Sequence, residues 1–315
     1  MRVVMFGYQT WGHKTLQSLI DSVHDVVGVV THPTSDQVYE SIWADSVEDL
    51  AREHDVPVHL ARRPDATMQK QIQAWKPDII VANNWRTWLP PEIFAHPPHG
   101  TLNLHDSLLP RFTGFSPIAW ALISGADEVG LTAHRMDGEL DTGDVLTQAA
   151  IPIGPRDTAT ELVRATIDLI PGVLLEALER IESGTAQWRP QDLAQRTFFH
   201  KRHETDSLID WSWEASDIDR LVRAMSDPYP NAFTYYRGER ISVVQAHVSK
   251  GIYGGTPGRV FIREGDGMAI VAGPDAHRGR NHALVIDRVR SSDGTEYSAL
   301  EYFPSGGGYL TADSR

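Results

Sequence analysis

Asn103 and His105 stand two apart in the segment NLHDSLLP (103–110), at the end of an apolar run. Strand side chains alternate between faces, so the amide and the imidazole point one way while Leu102 and Leu104 point the other. Pro110 then ends the strand. Such a pair is either a buried hydrogen-bonded contact or half of an active site. A carboxylate would complete it. The acidic, glycine-punctuated loop MDGELDTGD (136–144) offers Asp137, Glu139, Asp141 and Asp144. A carboxylate beside His105 would hold the imidazole in one tautomer and raise its basicity. Asn103 would offer a neutral N–H to a developing oxyanion. Asn, His and Asp without a Ser or Cys nucleophile describe direct attack of a substrate nucleophile on a carbonyl, not covalent catalysis.

The elements that must position these groups are legible from apolar periodicity. Buried strands are predicted over 2–7, 26–31, 56–61, 78–83 and 100–105, separated by helical patterns near 15–20, 45–54 and 65–75. Continuous apolar strands alternating with helices predict an α/β, Rossmann-like, mostly parallel sheet flanked by helices. A helix over 116–125 and an alternating strand over 130–136 follow. A long helical segment occupies 157–184, opened by a Thr158/Glu161 capping box, with Pro171 expected to kink or divide it. From about 207 the pattern becomes short strands and Gly-rich turns, which predicts a small β-barrel-like (OB-like) C-terminal domain. The expected division is a catalytic domain over 1–190, a polar linker over 191–206 and a β-rich domain over 207–315. Open α/β sheets bind ligands at the carboxyl ends of their strands. Three points fall there: the Asn103/His105 pair, NNWRTW (83–88) and the 136–144 loop.

Composition removes several function classes. The chain of 315 residues contains no Cys, so disulfides, Cys-based zinc sites and thiol nucleophiles are excluded. The N-terminal apolar run is too short for a signal peptide, and no run approaches a membrane span, so a cytoplasmic protein with no membrane partner is expected. The formal net charge of −13 opposes binding to phosphate backbones, and no nucleic-acid partner is expected. FGYQTWG (6–12) lacks the G-x-G-x-x-G dinucleotide fingerprint. His96/His99 and His200/His203 have near-metal spacing but no acidic third ligand nearby, so no metal site is expected.

The segment HGTLNLHDSLLPRFTGFSPIAWALISGADEVGLTAHRMDGELDTGDVL (99–146) closely resembles the folate-dependent formyltransferase family, in the Asn-x-His pair, the SLLP that follows and an Asp in a D-x-G loop. These are Asn103, His105, Ser107–Pro110 and Asp141, and the likeness spans most of the first 200 residues. DSLIDWSWEASDIDRLVRAMSDPYPNAFTYYRGERISV (206–243) resembles the start of the C-terminal domain shared by the family's tRNA and sugar enzymes and lacking in its glycinamide enzyme. The resemblance implies 10-formyltetrahydrofolate as formyl donor, with Asn103, His105 and Asp141 catalytic. It also implies a folate site formed by Asn84, Trp85, Arg86, Leu109, Asp137, Gly138, Glu139, Leu140 and Asp144.

The tRNA enzymes of that family carry a basic insertion in the N-terminal half. Here no Lys or Arg occurs between Lys14 and Arg52, and the matching region (32–51) is acidic. A small amine acceptor is therefore expected. MRVVMFGYQTWGHKTL, VANNWRTWLPPEIF, TFFHKR and YGGTPGRV look most like the formyltransferases of hydroxamate siderophore pathways, which implies N5-hydroxyornithine as acceptor. A nucleotide-linked amino sugar is the first alternative. Methionyl-tRNA, or water in a 10-formyltetrahydrofolate hydrolase, comes next.

Overall fold

The computed structural model describes residues 1–35, 41–304 and 307–314. It divides into two compact units, one of Met1–Ile118, Glu128–Pro152 and Val163–His200, the other of Ala119–Asp127, Ile153–Leu162 and Lys201–Arg315. The boundary at 200/201 falls inside the stretch expected as a linker.

The first unit is built on a seven-stranded sheet. Its strands are β1 (Arg2–Gly7), β2 (Asp25–Thr31), β3 (Val58–Leu60), β4 (Ile79–Asn83), β5 (Thr101–His105), β7 (Glu128–Arg135) and β8 (Val145–Pro152), in the order β3-β2-β1-β4-β5-β7-β8. Between β5 and β7 the chain makes the two-residue β6 (Thr113–Gly114), which pairs with β9 (Phe198–Phe199). The pairs from β3 through β5 are parallel, whereas β5–β7 and β7–β8 are antiparallel. The sheet is thus mostly parallel, as the apolar runs predict. Val3–Phe6 and Ile79–Ala82 are wholly inaccessible because strands near the sheet centre are covered on both faces. β8 is not anticipated by the sequence reading. Its outer half alternates in burial, a weaker signal than the continuous runs.

The flanking helices are α1 (Gln9–Ile20), α2 (Val47–Glu53), α3 (Ala66–Trp75) and the short α4 (Pro91–Phe94). Ser46 and Asp65 cap α2 and α3 by accepting from the amides of Asp49 and Met68, at 3.0 and 2.7 Å. Two further helices belong to both units by residue, α5 (Pro117–Ile123), most of it in the second, and α6 (Ala159–Glu182), most of it in the first. The predicted capping box opens α6, with the Thr158 amide donating to Glu161 at 2.9 Å and the Glu161 amide to Thr158 at 3.3 Å. Pro171 does not divide α6. The lost N–H removes one backbone bond, but buried Ile170, Val173, Leu174, Ala177 and Leu178 carry the apolar face past it, and packing supplies most helical stability. No helix among the described residues is long and apolar enough to cross a membrane.

The second unit is an antiparallel sheet of β10 (Ala232–Tyr236), β11 (Glu239–Ile252), β12 (Val260–Glu264), β13 (Gly267–Ile270), β14 (His282–Arg290) and β16 (Leu310–Thr311). The order is β12-β13-β14-β11-β10-β16, with β15 (Glu296–Ser298) added to β14. The outer strands are joined in turn. Val260 N–H donates to Gly308 O at 3.1 Å, Gly307 N–H to Val260 O at 2.9 Å and Leu310 N–H to Gly258 O at 2.8 Å. These bonds join the two ends of the sheet at the start of β12, a partial closure in the direction of the barrel-like solution that the short strands predict. α7 (Ala215–Ala224) and α8 (Ala299–Tyr302) complete the core with Ile218, Leu221, Val222 and Phe303.

Candidate active site

β5 lies between β4 and β7, so its carboxyl end meets one parallel and one antiparallel neighbour. The alternation of β5 leaves Asn103 and His105 half-buried while Leu102 and Leu104 are buried. The antiparallel register with β7 then sets Asn103 directly opposite His134. Asn103 Nδ2 lies 3.0 Å from His134 Nε2, and His134 Nδ1 lies 3.0 Å from the Arg135 carbonyl. A carbonyl only accepts, so Nδ1 carries the His134 proton and Nε2 accepts from the Asn103 amide. Burial holds the His134 imidazole below the usual histidine range, which the Asp141 carboxylate offsets only in part. His134 is therefore neutral, and its 3.9 Å approach to Asp141 Oδ1 is not an ion pair.

His105 occupies the other side of the same carboxylate. Its Nδ1 is 3.8 Å from Asp141 Oδ2, an ion-pair separation longer than a hydrogen bond. Its Nε2 donates to the Phe112 carbonyl at 3.1 Å. The predicted Asn103, His105 and Asp141 are thus brought together. His134, which the sequence reading passed over, holds the amide and lies beside the carboxylate. Its signal was present as a histidine in the alternating strand GLTAHR, but the partner strand and register were not.

Asp141 is aimed by its loop. It adopts a left-handed φ of 53°, and Oδ2 accepts from the Gly114 amide at 3.1 Å. Two residues of the stretch expected as a linker hold the loop from outside. Gln191 Nε2 donates to the carbonyls of Asp141 and Gly143 at 2.9 and 2.7 Å, and Arg196 donates to the Leu140 carbonyl at 2.7 Å. Asp137 builds the turn, accepting from the Glu139 amide at 3.0 Å and the Thr142 hydroxyl at 2.8 Å. The Asp144 carbonyl accepts from the Arg135 amide at 2.9 Å. Gly138 and Glu139 are exposed. Gly143 permits the close approach of this loop to β7, because a Cβ there would lie 1.8 Å from the Arg135 carbonyl oxygen. Gly143→Ala should lift the loop, displace Asp141 and lower turnover by at least about tenfold, since small misplacements of reacting groups are expensive. Steady-state kinetics of the folded variant check this; wild-type turnover would remove the loop from the site.

The other expected cofactor residues lie at the same edge of the sheet. Asn84 follows β4 with φ 56° and donates to the Tyr8 carbonyl at 3.1 Å. Arg86 donates to Gln9 Oε1 at 2.6 Å, and its guanidinium sits 4.8 Å from the Tyr8 ring centroid. Both side chains therefore brace the β1–α1 turn. Trp85 stacks on His32 with ring centroids 4.0 Å apart. Its Nε1 and the Thr87 hydroxyl are buried without hydrogen-bond partners among the described residues. Leu109 is buried, its amide donating to Thr132 at 3.2 Å.

The formyl transferase family model matches residues 1–178, and the model of the formyl transferase C-terminal domain matches residues 202–306. The chain belongs to the formyl transferase family. Relatives include methionyl-tRNA formyltransferases of Desulfotalea psychrophila, 34% identical over 87% of this chain and 85% of that protein, and of Pseudomonas entomophila, 33% identical over 97% and 96%. Among solved structures it is similar to WlaRD, a sugar 3N-formyl transferase in the presence of dTDP and 5-N-formyl-THF. That likeness has a TM-score of 0.67 at 16% identity and covers 91% of this chain and 97% of that one. In this formyl transferase, the site joins a neutral donor, an imidazole and a shielded carboxylate at one sheet edge. Such a set can stabilise charge on a carbonyl oxygen and move a proton beside it.

Proposed function

We propose that this formyl transferase moves the formyl group of 10-formyltetrahydrofolate to the side-chain nitrogen of a small amine, with N5-hydroxyornithine as acceptor. The observation that carries the reading is the cluster of the Asn103 amide, held by His134, and the His105 imidazole, faced by Asp141, at one end of β5. The folate fits the residues present. Trp85 Nε1 and Thr87 Oγ1 are buried donors in want of acceptors, beside the Asn84–Arg86 segment, and the backbone of 137–144 offers further polar groups. When bound, 10-formyltetrahydrofolate supplies a formyl carbon open to attack by an amine.

The chain's own groups act as follows. His134 holds one N–H of the Asn103 amide, which leaves the second to donate to the formyl oxygen as charge builds there. Asp141 faces Nδ1 of His105, so Nε2 is the atom at which the imidazole gives and takes a proton. In this structure the Nε2–H donates to the Phe112 carbonyl.

The acceptor reading is supported by the acidic 32–51 segment and by the absence of Lys and Arg between Lys14 and Arg52. A methionyl-tRNA acceptor is the second reading, favoured by the relatives named above. The test is tetrahydrofolate release with no amine, N5-hydroxyornithine, ornithine, a nucleotide-linked amino sugar and charged initiator tRNA. Release with hydroxyornithine, and a formylated product by mass, is expected. Release with the tRNA alone or the amino sugar alone replaces the acceptor, and release without amine makes the protein a hydrolase.

A further inference from the structure

Beside His105 the site carries a carboxylate that the mechanism above does not use. Asp106 Oδ1 is buried and has no hydrogen-bond partner. Asp106 makes no ion pair with Lys or Arg among the described residues, so only His105 and the Trp11 indole offset the burial of its charge, and only in part. Trp11 belongs to α1, which follows β1, and its indole N–H lies close enough to Asp106 to favour the ionised form. Yet Trp11 Nε1 is itself buried without a partner, as is the neighbouring Thr10 hydroxyl. The Trp11 ring meets the Trp43 ring edge-on at 6.0 Å, and the Thr10 amide donates to the Trp43 carbonyl at 3.0 Å. An unmet acceptor next to the proton-moving imidazole thus lies beside the Trp11 indole, which in turn meets the Trp43 ring.

We propose that Asp106 and Trp11 form the subsite that receives the ammonium group of the acceptor. The carboxylate accepts from the ammonium, and the indole faces line its alkyl stem. The inference rests on the amine-acceptor reading above and narrows it to cationic acceptors. A neighbouring consequence concerns stability. Burial pushes the Asp106 carboxyl up to about 6, against the attraction of His105. Above that value the folded chain bears the full cost of an ionised buried group, and below the ordinary carboxylate range neither state is ionised. Asp106→Asn should therefore raise Tm at about pH 8, with the gain shrinking below about pH 6 and gone by about pH 3.

The experiment uses protein labelled with 5-fluorotryptophan, the Trp11 resonance being assigned by its loss in Trp11→Phe. Pentylammonium chloride should shift that resonance saturably in the wild type, while n-pentanol should not, and Asp106→Asn should abolish the shift. In parallel, with whichever acceptor turns over, Asp106→Asn should raise the acceptor KM at least about tenfold, as loss of a charge-assisted contact does. The KM for the folate should stay unchanged. No shift in the wild type, an equal shift in Asp106→Asn, or a Tm lowered at both ends of that pH range would overturn the subsite. A protein that uses none of the amines defeats the proposed function, whereas the fluorine spectrum still judges the subsite.

Discussion

His105→Ala should lower kcat by about two to four orders of magnitude, the range that a positioned general acid–base contributes. The fold should survive. The imidazole is half-buried, and its hydrogen bond is to a loop carbonyl, Phe112, not to the sheet. Asp141→Asn should lower kcat in the same direction, because it removes the charge 3.8 Å from Nδ1 while keeping an acceptor for the Gly114 amide. Single-turnover rates with the folate and a working acceptor, alongside circular dichroism, make the measurement. A folded His105→Ala protein with near-normal rates would end the assignment of the proton to this residue.

Asn103→Ala should cost about two to three orders of magnitude in kcat with little change in the KM of either substrate, as loss of one oxyanion donor does. The partner experiment separates the amide from its support. His134→Ala should lower kcat because it frees the Asn103 amide to rotate, and His134→Gln should restore much of the loss, since a Gln carbonyl can accept the same N–H. The pH profile of stability gives an independent check. The folded His134 value is depressed, so nothing is lost where both states are neutral. As pH falls below about 6.5 the unfolded chain binds a proton that the folded chain refuses, and stability drops. Removing His134 should flatten that drop. An unchanged acid limb, or His134→Gln no better than His134→Ala, would show that His134 does not position the amide.

Residue order was enough for everything that depends on local periodicity. The two-residue repeat of a strand put Asn103 and His105 on one face, and the continuous apolar runs of β1 and β4 required a sheet covered on both sides. The capping box of α6 was readable because its partners are three residues apart. Tertiary structure decided what depends on register and burial. Which side chain stands opposite Asn103 follows from the β5–β7 pairing, where a shift of one residue would replace His134 with a residue facing the other way. The hold of Gln191 and Arg196 on the Asp141 loop joins residues some fifty positions apart. The burial of Asp106 without a partner is likewise a property of what surrounds it, because a side chain is desolvated by its neighbours in space, whatever stands beside it in the chain.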